Sequence, residues 1–263
     1  MHKNKIIVNL FVYNSYKNLH KIARSLYLSK LNIKKIFIID NNSSNSLREK
    51  KTLLKQIKKA YNLKINLIVN SKNYGMGGSH KILFQLLKKE KFDYFVNLGT
   101  TNRYLISNVL ADIKKNLLFE KDYYLFSRFL NKKNLTNYNY FRKVFNIAFV
   151  KLTQFYAKTY FSDPGSSTMI VKYHFFKKIN KKEYINITNG SHFTHFFNIN
   201  IYNLNLNLNF KEIPIIWREG NVKSHLRSVS YVVILFFSLI KFRINNKFFI
   251  EKNNKFKYKV YNF

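Results

Sequence analysis

The sequence predicts an α/β protein built on a mostly parallel, doubly wound sheet with helices on both faces. Short apolar runs rich in Ile, Val, Leu and Phe recur at 5–13, 36–40, 65–69 and 94–98, as expected of strands buried on both sides. Longer segments with helical spacing separate them. Polar or glycine residues follow each run, where a strand passes into a turn.

Residues 5–13 form the first predicted strand, closed by Asn14 and Ser15. Ser15 is placed to cap a helix running to about Lys30, with Leu19, Ile22, Ala23 and Leu26 on one face. The second strand runs from Ile36 into Asp40, Asn41, Asn42, Ser43 and Ser44. Ligands of open α/β sheets bind beyond the carboxyl ends of the strands, so Asp40 either accepts hydrogen bonds from a base or ribose or starts a turn. A lysine-rich helix is predicted over 46–61, a third strand over 65–69, a helix over 79–89 and a fourth strand over 94–98. Before the helix at 79 lies Asn73-Tyr-Gly-Met-Gly-Gly78, which is either a loop whose N–H groups approach a phosphate or base edge, or a plain tight turn. Neither dinucleotide nor P-loop glycine spacing is present.

The second half is less periodic. Residues 123–126 are a fifth strand, 131–139 a polar loop, and 141–160 an amphipathic helix with Val144, Ile147, Ala148 and Leu152 inward. Ser162-Asp-Pro-Gly-Ser-Ser-Thr precedes another strand, and a Pro-Gly turn suffices to explain it. His192 and His195 share a predicted helix at i, i+3, compatible with a metal pair or with ordinary satisfied histidines. Residues 229–240 are strongly apolar between Arg227, Lys241 and Arg243. They are shorter than the roughly 20 residues a spanning helix needs and suit either an interfacial helix on an anionic leaflet or a helix packed on the domain. The last residues, 248–263, carry no assignment. The division predicted is 1–226 for the main domain and 227–263 for the apolar and basic C-terminal helix and tail.

Composition narrows the function classes. With 263 residues and 46% hydrophobic content the chain buries a sizeable core. The absence of cysteine excludes disulfides, thiolate metal sites and a cysteine nucleophile, in keeping with a reducing, cytoplasmic setting. A net charge of +35 suits anionic partners, yet the lysines are spread along the chain and no nucleic-acid motif accompanies them, so no specific nucleic-acid partner is expected. Gly and Pro number only 7 and 2, and all nine are expected in loops.

Tyr13-Asn14, Asp40-Asn-Asn-Ser-Ser and Asn73-x-Gly-x-Gly-Gly, in this order across the first hundred residues, resemble family 2 glycosyltransferases of the GT-A fold. The resemblance implies that Tyr13, Asn14, Asp40, Asn42, Asn73, Gly75 and Gly77 hold the base and ribose of a nucleotide-sugar. Where that family carries the metal-binding Asp-x-Asp, this chain has Gly99-Thr100-Thr101 followed by Arg103, and Asn45 replaces a frequent Asp. Hard cations need anionic oxygen ligands, so a divalent Mg²⁺ or Mn²⁺ has no evident ligands here. The segment around Asp163 resembles the region near the donor sugar in polyprenyl-phosphate glycosyltransferases. Residues 212–224 resemble their Arg-x-x-Gly-x-Ser-Lys segment, which places Arg218, Lys223, Ser224 and His225 at phosphate or acceptor, with a solvated basic loop as the alternative.

The function expected is transfer of a sugar from a nucleotide-sugar to a polyprenyl phosphate or glycan, inverting by resemblance. Gly99, Thr100, Thr101 and Arg103 are placed at the nucleotide-sugar, Asp163 is the nearest acid, and Arg103, Arg218 and Lys223 are the cations expected to stabilise the leaving diphosphate in place of metal. Two other classes stay open: a catalytically inactive nucleotide- or glycan-binding protein with this fold, and a binder of anionic surfaces driven by charge alone.

Overall fold

The computed structural model describes residues 4–101, 103–116, 121–204, 208–219, 228–245 and 255–263. The first half alternates as predicted through the fourth strand: β1 (Ile6–Val12), α1 (Leu19–Leu28), β2 (Ile33–Asp40), α2 (Leu47–Tyr61), β3 (Ile65–Asn70), α3 (Gly75–Leu87) and β4 (Tyr94–Gly99), followed by α4 (Ile106–Asn116), which no predicted element covers. The second half adds β5 (Tyr123–Ser127), β6 (Leu135–Thr136), α5 (Tyr140–Ala157), β7 (Met169–Lys172), α6 (Tyr173–Lys178), α7 (Lys182–Ile185) and α8 (Phe193–Asn203). It continues with β8 (Phe210–Pro214), β9 (Trp217–Arg218), α9 (Ser228–Asn245) and β10 (Tyr258–Asn262).

Eight strands form one sheet in the order β10-β3-β2-β1-β4-β7-β5-β8, while β6 and β9 pair as a separate ribbon. β1 to β4 run parallel; β7 runs antiparallel between β4 and β5, and β5 pairs parallel with β8. The carboxyl ends of β1 to β5 and β8 therefore face one edge, and the segment leading into β7 comes from that edge too. Alternation along each strand splits the core. Ile6, Val8, Leu10, Ile36 and Ile38 pack under α1, α2 and α4, whereas Ile7, Phe37, Ile39 and Phe95 pack under α3, α5, α8 and α9. Each such side chain, withdrawn from water, contributes roughly 1.5–3 kcal/mol.

Several boundaries differ from the predicted ones for physical reasons. Leu19, Ile22, Ala23 and Leu26 are buried as expected, but Ser15 caps nothing. A 3₁₀ turn over Tyr16–Asn18 intervenes, and the Ser15 hydroxyl meets that of Thr100 at 2.7 Å. Ser46 does cap α2, in a reciprocal box with Glu49. Gly75, Gly77 and Gly78, expected in a loop, form the first turn of α3. The predicted inner face of α5 is corrected: Phe149, Thr153 and Ala157 are buried, while Val144, Ala148 and Leu152 are exposed. Both faces of that helix are apolar, so spacing alone could not choose between them. In α9, Leu235, Leu239 and Phe242 join the core beside Phe149. The unassigned tail contains β10, which pairs antiparallel with β3 from Tyr258↔Asn70 to Asn262↔Asn66.

Candidate active site

The loops after β1, β2 and β3 are tied into one rim by short polar side chains. Asn14, in the left-handed region at φ 52°, accepts the Ser44 N–H at 2.9 Å, and its own N–H donates to Ser43 Oγ at 2.9 Å. Asn41 accepts from Asn70 Nδ2 and the Tyr74 N–H and donates to Asn73 Oδ1 at 2.6 Å. Asn73 also receives the Gly75 N–H at 2.8 Å. Asparagine suits these positions because one side chain donates and accepts, and it tolerates positive φ. Tyr13 and Asn42, the latter at φ 64°, are exposed on this rim.

Asp40 ends β2 on the α1/α2 side of the sheet and is fully buried. Its Oδ1 accepts the Ser43 N–H at 2.8 Å, and its Oδ2 lies 2.6 Å from Lys50 Nζ. Lys50 also lies over the Tyr16 ring. Burial, and then the Asp40 charge, hold the Tyr16 hydroxyl well above its usual range. Asp40 thus serves as turn and ion-pair partner at once, and a nucleobase reaching it would meet a carboxylate already neutralised.

Gly75 takes φ 74°, a value side chains avoid. At Gly77 a Cβ would stand 2.4 Å from the Thr188 carbonyl oxygen, so packing forbids any side chain there. Its N–H donates to Asn189 O at 2.8 Å. The exposed donors of this turn are accordingly fewer than a phosphate cradle over Gly75–Gly78 would offer.

Beyond β4, Gly99 donates its N–H to Tyr104 Oη at 2.6 Å. The Thr100 hydroxyl donates to Phe11 O at 2.7 Å, and Thr100 O accepts from Asn18 at 2.7 Å. Among the described residues of this loop, Thr101 is exposed. This loop does not fit a divalent cation: it carries no carboxylate, one hydroxyl is spent, and among the described residues no three His, Asp or Glu converge.

The opposite wall comes from the second half. Arg128, directly after β5, donates from Nε to Asp163 Oδ2 at 2.7 Å and from Nη2 to Oδ1 at 2.8 Å. Its backbone N–H adds a third bond to Oδ2 at 3.0 Å. Asp163 is buried and committed to this fork, which makes it a poor free base and a good anchor for Arg128. Beside it, Glu212 accepts from the Ser162 N–H and hydroxyl, and burial raises its carboxyl above the usual range. Trp217 of β9 lies beneath the guanidinium groups of Arg103 and Arg128, 5.7 and 5.2 Å from the ring centre. Arg218 is exposed, and its N–H holds Arg103 O at 2.7 Å. Gly220, Lys223, Ser224 and His225 lie outside the described residues.

His80 on α3 and His195 on α8 are both buried. His80 donates from Nδ1 to Met76 O at 2.9 Å and receives Asn97 Nδ2 at Nε2, and burial pushes it down to about 4. His195 faces Thr153, whose hydroxyl is already given to Phe149 O, so His195 donates from Nε2. Burial first, then His192 and Arg128, push it down to about 3. Both are therefore neutral near pH 7.

The structure brings Tyr13, Asn14, Asn42, Asn73, Gly75, Thr101, Arg103, Asp163 and Arg218 to one edge of the sheet, with Asp40, Gly77, Gly99 and Thr100 supporting them from beneath. Lys50, Arg128 and Trp217 escape sequence reasoning. Arg128 alone had a findable signal, since it follows an apolar strand just as Asp40 and Gly99 do.

No family model matches the sequence, and no curated protein does. Solved structures do. Glucosyl-3-phosphoglycerate synthase from Mycobacterium tuberculosis, in complex with Mn²⁺, UDP and glucosyl-3-phosphoglycerate, is similar at TM-score 0.57 and 12% identity, covering 91% of this chain and 80% of that one. TarS 1–349 of S. aureus, in complex with UDP-GlcNAc, reaches TM-score 0.59 at 16% identity, covering 91% and 65%. Mannosyl-3-phosphoglycerate synthase from Rubrobacter xylanophilus reaches 0.57 at 10% identity, covering 92% and 74%. The strand order and these likenesses together give the chain the fold of GT-A glycosyltransferases.

Proposed function

We propose that the protein transfers a sugar from a nucleotide-sugar to a polyprenyl phosphate or glycan acceptor. One observation carries this reading: the loops after β1, β2 and β3 are bonded into a single rim at the crevice of a fold shared with enzymes solved holding UDP and UDP-GlcNAc. Tyr13, Asn14, Asn42 and Asn73 would hold base and ribose, with Asp40 fixing the rim from below.

In the transfer, the acceptor oxygen bonds to the anomeric carbon from the face opposite the leaving group as the bond to the donor phosphate oxygen breaks. The electron pair departs with the nucleoside diphosphate, and the configuration inverts. An ionised phosphate acceptor needs no base, whereas a hydroxyl must lose its proton to one. Because Asp163 is committed to Arg128, the site favours the phosphate nucleophile. Cationic side chains, with Arg218 and Lys223 among them, would stabilise the leaving charge.

An acceptor on a lipid would be met at the membrane. No helix among the described residues is long and apolar enough to cross one. However, α5 and α9 pack together through contacts such as Tyr156 with Phe236, and expose Phe141, Phe145, Phe155, Val233, Phe237 and Ile244. Lys143, Lys151, Lys158, Lys241 and Arg243 belong to the same two segments, which suits a peripheral seat on the cytoplasmic leaflet.

The neutralised Asp40 and the missing metal ligands favour a second reading, a non-catalytic nucleotide- or glycan-binding protein. Incubation with a panel of nucleotide-sugars and a short polyprenyl phosphate, followed by product mass spectrometry, tests both. A sugar-phosphate product is expected. Nucleoside diphosphate binding with no product from any donor would replace the first reading by the second.

A further inference from the structure

Two hydrogen-bond donors stand unspent in the wall opposite the nucleotide rim. Arg103 Nε and Trp217 Nε1 are both buried, and neither has a hydrogen-bond partner among the described residues. The two side chains meet, the Arg103 guanidinium lying over the indole at 5.7 Å from the ring centre. The second guanidinium on that indole, Arg128, is balanced by Asp163 in a two-pronged ion pair. Arg103 has no such carboxylate among the described residues. The Arg218 N–H bond to Arg103 O ties its loop to β9 and fixes the contact in place.

A buried donor without an acceptor is destabilising, and an unbalanced guanidinium more so. Such groups persist where a ligand completes them. A partner suited to both would accept hydrogen bonds from a planar fork, would balance the guanidinium if anionic, and would lie beside the strand end where Gly99, Thr100 and Thr101 supply no negative charge. A phosphate group meets each condition, and guanidinium is the side chain that matches its oxygens best.

We propose that Arg103 and Trp217, with Arg128 held by Asp163, form a phosphate-binding site. The phosphate is either the diphosphate of the donor or that of a phosphorylated acceptor. Only this choice of source rests on the glycosyl-transfer reading; the site itself does not.

Trp217 is the chain's single tryptophan, so its emission reports on the site directly. The full chain is titrated with inorganic pyrophosphate while that emission is followed. Saturable change is expected, with the dissociation constant raised about tenfold or more in Arg103→Gln, the size of one lost charge-assisted hydrogen bond. Trp217→Phe keeps an aromatic ring there and removes the N–H, and calorimetry should show weaker pyrophosphate binding. Arg24→Gln on exposed α1 removes the same charge elsewhere and should change nothing. Should Arg103→Gln fail to fold, Arg103→Lys keeps the charge, loses the fork and should still weaken binding.

Prior saturation with UDP that abolishes the pyrophosphate response assigns the site to the donor; abolition by geranyl phosphate but not by UDP assigns it to the acceptor. No saturable change, or equal losses in Arg103→Gln and Arg24→Gln, would overturn the proposal. Such failure alongside sugar transfer would leave the enzyme reading standing, and pyrophosphate binding without transfer would leave the site standing.

Discussion

Lys50 Nζ lies 2.6 Å from Asp40 Oδ2, and both side chains are buried. The same ammonium donates to Ser43 O at 3.0 Å, and the Ser43 N–H returns to Asp40, so strand end, turn and α2 close into one ring. Removing one partner leaves the other charge dry and unpaired, at a cost of about 3–5 kcal/mol. Lys50→Met is expected to lose about that much stability in urea, and Asp40→Asn with Lys50→Met to recover part of it. A double variant no more stable than Lys50→Met would show that the pair is not the cause. Asp40→Ala, which the sequence alone would treat as a binding-only change, should also destabilise the fold.

Transfer activity is expected to survive EDTA, because the loop after β4 offers no anionic ligand to a cation. Arg218→Ala and Lys223→Ala should each lower it about tenfold or more, the share of a charge-assisted contact to the leaving group. Activity lost in EDTA and restored by Mn²⁺ would mean that ligands come from elsewhere in the chain.

Stability should fall as pH is lowered from about 6.5. The unfolded chain takes up protons at His80 and His195 near 6.5, whereas the folded chain withholds them until about 4 and about 3. The contribution is intact above 6.5 and declines through that window, by about 1.4 kcal/mol per pH unit for each histidine. Denaturant titrations at pH 7, 6 and 5 measure the slope, and His195→Asn should remove one histidine's share of it. An unchanged slope would mean that His195 takes up its proton as readily in the fold as in the unfolded chain.

Vesicles of anionic lipid should retain the protein at high salt, where bare charge attraction is screened. Phe141→Asp combined with Phe237→Asp, on the exposed faces of α5 and α9, should release it while far-UV circular dichroism stays unchanged. Retention of the double variant at high salt would remove these helices from the membrane contact.

Much of the first hundred residues was legible because two signals agree there: apolar runs set the strands, and short polar residues set their ends. The left-handed Asn14 and Asn42 fall in those turns, where asparagine is informative. The second half was less so. In α5 aromatic residues line both faces, and only the packing of α9 decides that Phe149 goes in and Phe145 stays out. The partners of Asp40 and Asp163 are ten and thirty-five residues away in sequence, and no local pattern announces Lys50 or Arg128. A carboxylate at a strand end reads as a site whether or not a cation waits beside it.

β10 lies against β3, and Lys257 meets Tyr74 across 183 residues of chain. During synthesis the first half can assemble its first strands early, yet one margin of its sheet stays unpaired until residues 258–262 have emerged. For that interval β3 presents open backbone donors and acceptors to any passing strand. Truncations before Tyr258 should therefore show themselves first as aggregates during expression, well before any effect on catalysis could be read.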